Sequence, residues 1–144
     1  MPYVPFLAGE TVTAGKINTR LVEEIMEWTP WASLGSFAVN FTANTSNPPL
    51  MRKIRILGVE RWEYTGRIQV AALAANVDTL AFTFNVGYRP VVERGWPLVG
   101  AASAFYSVRA TLQTTGQLRV GVPTAAGAGT NAIILDGLHI DDPL

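Results

Sequence analysis

From Trp31 to the C-terminus, apolar residues recur at every second position in short runs separated by turn formers, a period that specifies strands with one buried face. Phe37, Val39 and Phe41 alternate with Ser36, Ala38 and Asn40; Ile54 and Ile56 stand among Arg52, Lys53 and Arg55. Trp62 and Tyr64 oppose Arg61 and Glu63, and Ile68 and Val70 oppose Arg67 and Gln69. Gly66 between these two runs marks a tight turn or a kink. The cleanest strand is Leu80, Phe82 and Phe84 against Thr79, Ala81, Thr83 and Asn85, which ends in the corner Gly87-Tyr88-Arg89-Pro90.

Past that corner, Pro97 restricts the segment from Gly95 to Ala101 to an edge or an irregular strand, because proline donates no ladder hydrogen bond. Tyr106, Val108, Ala110 and Leu112 form an inward row, Thr114-Thr115-Gly116 a hairpin turn, and Leu118, Val120 and Val122 the return strand. A loop of Ala, Gly and Thr follows from Pro123 to Asn131, and Ile133, Leu135, Leu138 and Ile140 complete the last strand. Seven to nine short strands with no helical period after Pro30 predict an all-β chain, an antiparallel β-sandwich or jelly roll over residues 32–144.

The first 31 residues read differently. Prolines and aromatics in residues 1–12 predict an extended run along a partner. Ile17, Leu21, Ile25 and Trp28 then recur at steps of four, four and three, which predicts one short helix over about 13–28, capped by Thr13 and ended by Thr29-Pro30. Glu23, Glu24 and Glu27 late in that helix oppose its dipole, so packing has to hold its last turn. Residues 1–31 are thus expected to be an attachment segment, with Phe6, Leu7, Ile17, Leu21, Ile25, Trp28 and Trp31 as the apolar groups for docking or self-association.

Charge narrows the partners. Among the 144 residues, eleven bases balance eleven acids, leaving no net field to draw in nucleic acid or an anionic membrane. Charged residues make up 15 %, under the about 25 % usual for a soluble domain, which predicts burial against neighbouring subunits. No run is long enough for a membrane helix, no signal peptide opens the chain, and cysteine is absent, so neither membrane insertion nor disulfides are expected.

Residues for bond-breaking chemistry are sparse. His139 stands on a strand facing away from Leu138 and Ile140, with no nucleophile at a recognisable spacing, and Asp136, Asp141 and Asp142 lack the pattern of a metal loop. Glu60 and Glu63 fall on opposite strand faces, unsuited to act on one glycosidic bond. Gly127 and Gly129 sit in a loop with no helix after it, which fails the context of a dinucleotide site. No enzyme activity, catalytic residue, metal or cofactor is therefore expected. Trp62, Tyr64, Phe82 and Phe84 read as core, while Tyr88 and Trp96, with Arg89 and Arg94 beside them, are the candidates for contact with a ligand such as a sugar.

The series Arg52-Lys53-Ile54-Arg55-Ile56-Leu57-Gly58, Gly66-Arg67-Ile68, Phe82-Thr83-Phe84-Asn85-Val86-Gly87-Tyr88-Arg89-Pro90, and Ser107-Val108-Arg109 on to Gly116-Gln117-Leu118-Arg119-Val120 resembles the β-sandwich head of tailed-bacteriophage fibres and related virion proteins. That family's corner has the form Leu-Pro-x-Gly-Tyr-Arg-Pro; here its proline is missing, with Asn85 and Val86 in its neighbourhood. The stretch from Phe6 to Asn18 is similar to the opening segment of phage tail and fibre proteins.

The resemblance implies a homotrimer in the virion, made in the host cytoplasm, whose N-terminus docks on capsid, tail or baseplate proteins and whose head projects outward toward host-surface glycans. A capsid decoration or cementing subunit that stabilises the shell is the alternative, and a lectin-like or glycan-cleaving domain is a third reading.

Overall fold

The computed structural model describes residues 8–11, 13–15, 21–101, 105–123 and 131–144. Within them the chain forms twelve strands: β1 (Val22–Pro30), β2 (Gly35–Phe37), β3 (Phe41–Ala43), β4 (Leu50–Ile56), β5 (Val59–Thr65), β6 (Arg67–Val70), β7 (Thr79–Phe84), β8 (Arg94–Ala101), β9 (Phe105–Leu112), β10 (Gln117–Gly121), β11 (Ala132–Ile134) and β12 (His139–Asp141). They make a four-stranded sheet in the order β1-β4-β5-β12 and an eight-stranded sheet in the order β2-β7-β10-β9-β8-β11-β6-β3. Every strand pairing in both sheets is antiparallel.

The larger sheet curls on itself. Its two outermost strands, β2 and β3, are joined by residues 38–40 alone, and Ala38 and Asn40 bond to Ala81 and Ala71 near the two rims. The result is a barrel-like sandwich, the smaller sheet packed against the larger one. This turn corrects the expectation of one strand through Phe37, Val39 and Phe41. Asn40 takes a positive φ of 71° and leaves Val39 84 % exposed, while Ala38 packs on the core. Alternation runs unbroken across a turn this short, so the period cannot mark it.

The expected helix over 13–28 is also corrected from Val22 onward. Within that span helical backbone is described at Ala14, Gly15 and Leu21, and Val22–Pro30 is strand β1, bonded to β4 as part of the sandwich. Two bulges in that pairing, between Glu24 and Met26 and between Met26 and Thr29, each insert an extra residue. They stretch a period of two into steps of three and four, which is how the strand imitates a helix. The β-branched Val22, Ile25 and Thr29 suit a pleated strand, and extension removes the conflict of Glu23, Glu24 and Glu27 with a helix dipole.

Trp31, directly after β1, is 1 % exposed at the centre of the core. Its ring lies 5.0 Å from Phe82, 4.9 Å from Phe84 and 6.0 Å from Tyr64, tilted or edge-on to each. Met51, Trp62, Ile68, Val108, Leu112, Val120, Ile133 and Leu135 complete the packing. The inward rows expected from the sequence are buried at Trp62, Tyr64, Ile68, Val70, Phe82, Phe84, Val108, Ala110, Leu112, Leu118, Val120 and Val122.

Gly66 is the point where β5 of one sheet passes into β6 of the other. Its φ is +91°, and a Cβ there would stand 2.1 Å from the Pro48 carbonyl oxygen, so only glycine fits. Asp136 fixes the crossing, accepting from the Thr65 hydroxyl at 2.7 Å and the Gly66 N–H at 2.9 Å. Pro97 turns out to lie in an interior strand: β8 pairs along its whole length with β9 but meets β11 only over Val99–Ala101. Pro97 is thus tolerated on a stretch with one open flank.

Candidate functional site

The corner after β7 is a joint between the two sheets. Tyr88 N–H closes a turn onto the Asn85 carbonyl at 3.2 Å, with Gly87 at φ +98°. Lys53 of β4 reaches across to donate to the Gly87 carbonyl at 2.5 Å. Its ammonium lies 4.8 Å from the Trp62 ring centre and 4.6 Å from that of Tyr88, a cation held between two aromatic faces. Burial pushes the Lys53 pKa down, with the Glu60 carboxylate working against it. Arg89 donates from Nε to the Phe84 carbonyl at 2.9 Å. Tyr88 and Arg89, expected as ligand contacts, are therefore engaged in holding the corner.

Of the other two candidates, Arg94 is turned toward the C-terminal residues, its Nη2 lying 3.2 Å from the Asp142 carbonyl and 3.4 Å from that of Asp141. Trp96 is half-buried and lines a groove of about 750 Å³ with Asn76, Val77, Asp78, Pro97, Ser107, Arg109, Thr111, Gly121, Val122 and Pro123. The structure does not bring the four candidates together; it gathers Trp96 with residues of β9, β10 and the loop before β7.

Asp78 organises that groove. Its carboxylate accepts from Arg109 Nη2 at 3.0 Å and from Arg119 Nε at 3.1 Å, and its carbonyl accepts from Arg119 Nη2 at 2.9 Å. Burial acts to raise the Asp78 pKa, but the two guanidinium groups outweigh it and hold the carboxyl below its ordinary value. The cluster of two bases and one acid leaves a net positive charge at a groove that Trp96 also lines. Neither Asp78 nor Arg109 stands out in the sequence as a candidate for ligand contact. The signal lay in the hairpin register, which sets Arg119 opposite Thr111 and Arg109 opposite Gly121, so the two arginines are diagonal neighbours on one face.

The outward face of the smaller sheet carries a ladder of ion pairs. Arg52 meets Glu63 at 2.6 Å and lies 4.7 Å over the Trp28 ring; Arg61 bonds Asp141 at 2.5 Å. His139 pairs in register with Glu63, its Nε2 3.6 Å from Asp141. Trp28, Glu63, Thr65 and His139 border a small depression of about 260 Å³. Glu60 instead bonds the Trp62 indole at 2.8 Å, so Glu60 and Glu63 serve opposite faces. Asp136 is committed to the crossing at Gly66, and among the described residues no group of His, Asp and Glu is placed to hold a metal ion.

Of the apolar docking candidates, Phe6, Leu7 and Ile17 lie outside the described residues. Leu21 and Ile25 are half-buried and Trp28 is 38 % exposed. Trp31 is corrected: buried among Tyr64, Phe82 and Phe84, it has no surface left for a partner.

No family model matches the sequence, and no curated protein matches it. Among solved structures, the chain is similar to the head domain of phage bIL170, whose fold is considered with the receptor-binding domains of lactococcal phages. The fold resembles that of a phage receptor-binding head. The TM-score is 0.55 at 17 % identity, and the match covers 83 % of this chain and 98 % of that one. At this identity the likeness is one of architecture, and it spans nearly the whole of the phage domain.

Proposed function

We propose that the chain is a non-enzymatic structural subunit of a tailed-phage virion, a homotrimer that docks through its N-terminal residues and presents its barrel-like sandwich for attachment to the host surface. The observation that carries this reading is the likeness to the bIL170 head domain over 98 % of that domain's length. The low charge content supports burial between copies. The groove at Trp96 supports sugar contact, since an indole stacks on the apolar face of a sugar ring while Asp78, Arg109, Ser107 and Thr111 supply hydrogen-bonding groups around it.

Adsorption tests the reading. Purified chain added to host cells should compete with the phage for its surface, and sedimentation should give three times the chain mass. Absence of competition, together with density for the chain on the capsid shell in particle images, would favour the decoration reading. Release of shortened glycan from host polysaccharide would overturn the non-enzymatic one.

A further inference from the structure

Eleven large apolar side chains are exposed among the described residues; Val39 and Val86, the most exposed, stand in separate loops, and six of the others fall together. Val22, Leu57, Val59, Val91, Val92 and Leu144 are each between 48 % and 67 % exposed, and the hydrogen-bond network gathers them at one end. Val22 pairs with Ile56, and Ile56 with Val59, across β1, β4 and β5. Asp142 N–H bonds the Glu60 carbonyl at 2.9 Å, and Val91 N–H bonds the Pro143 carbonyl at 2.9 Å, which brings the last residues and the segment before β8 to the same tip.

Leu57 is the unusual member. The β4–β5 turn places Leu57 at φ +50° and Gly58 at φ +85°, a pair of left-handed positions where Asn-Gly is the favoured sequence. A leucine there strains its backbone, and its side chain is 61 % exposed, so the strain is not repaid by packing within this chain. A bulky apolar group kept at a strained, solvent-facing position points to a contact outside the chain.

Two further observations identify the partner. Leu57 N–H donates to the Leu21 carbonyl at 2.9 Å, so the polypeptide preceding β1 enters the sandwich at this tip. Among the described residues, the exposed charges around it, Glu24, Glu93 and Asp142, are carboxylates, whereas Lys53, Arg55, Arg61 and Arg94 are half-buried and bonded to Gly87, Glu23, Asp141 and the carbonyls of residues 141 and 142. An acidic rim disfavours the same surface of a second copy and suits a basic one.

We infer that this tip, with Leu57 as its anchor, docks on the virion protein that receives the N-terminal segment, a protein surface with an apolar recess bordered by Lys or Arg. The inference rests on the docking role proposed above. Leu57→Asn separates contact from folding, because asparagine tolerates the left-handed region; Val59→Thr keeps strand propensity and supplies a second variant. Full-length parent, both variants and a chain lacking residues 1–20 are each produced during infection by a phage deleted for the gene, and occupancy is measured by quantitative mass spectrometry of purified particles.

The expected result is a Leu57→Asn chain that melts no lower than the parent yet loses about tenfold or more in occupancy, the scale of one lost anchor side chain, with Val59→Thr reduced as well. Parental occupancy by both variants, while the 1–20 deletion is lost, overturns the tip contact and leaves N-terminal docking standing. Absence of the parent chain from particles overturns both. A change in the sedimenting mass of either free variant assigns the tip to self-association and overturns the choice of partner.

Discussion

Gly66 and Asp136 show how much of this fold rests on single residues. Gly66→Ala puts a methyl group against the Pro48 carbonyl and forces alanine to a φ of +91°; the backbone strain alone amounts to about 1–3 kcal/mol, and the clash adds to it. Chemical denaturation should show that loss with an unchanged slope. Asp136 adds a pH dependence. The Gly66 N–H bond first, then the Thr65 hydroxyl, holds its carboxyl below the ordinary aspartate value. A depressed folded pKa contributes stability that is present above the unfolded value of about 4 and is lost as pH falls through the folded value. Melting temperature should therefore decline below about pH 4 in the parent chain, and Asp136→Asn should melt lower at neutral pH with a shallower acid decline. Parallel acid profiles for the two proteins would remove Asp136 as a source of the effect.

β1 and the turn into β2 show what an element reveals only once it is paired. Trp28 and Trp31 stand three residues apart and look equivalent in the sequence, yet one is 38 % exposed under Arg52 and the other 1 % exposed amid three aromatic rings. Trp31→Ala should cost about 3–5 kcal/mol, and Trp28→Ala about 1 kcal/mol or less, chiefly the cation–π contact. Equal losses in urea unfolding would contradict the placement of β1. Strands β5, β6, β9 and β10 were legible because one face of each is buried, so the period of two survives at Trp62, Tyr64, Val108 and Leu112, whereas in β4 the buried Met51 and Ile54 stand three apart and break it. β1 was not, because its bulges mimic a helical period, and the turn at Val39 was not, because a three-residue link leaves the alternation intact. Trp96 was expected beside Tyr88, Arg89 and Arg94, which the structure places elsewhere; Asp78 and Arg109 were missed, since their meeting depends on strand order across the barrel.

At the scale of the whole molecule, the attachment role proposed above assigns separate tasks to the groove and the tip. The groove at Trp96 draws on β8, β9, β10 and the loop before β7, all belonging to the larger sheet, whereas the Leu57 tip belongs to the smaller sheet where the chain enters. Weak sugar contacts suffice if several copies engage together, because linked sites multiply their affinities. Trp96→Ala removes the stacking face; a loss of about 1.4 kcal/mol at one site is a factor of about ten in affinity, and three engaged sites compound it to at most about a thousandfold. Both effects are readable: isolated glycan fragments titrated against the chain should show the single-site loss, and adsorption to whole host cells the larger one. Because Trp96 also packs on the core, the binding loss has to be compared with that of Arg109→Ala, whose side chain is 69 % exposed and which should leave the melting temperature nearly unchanged. Wild-type adsorption by both variants would move host contact away from this groove.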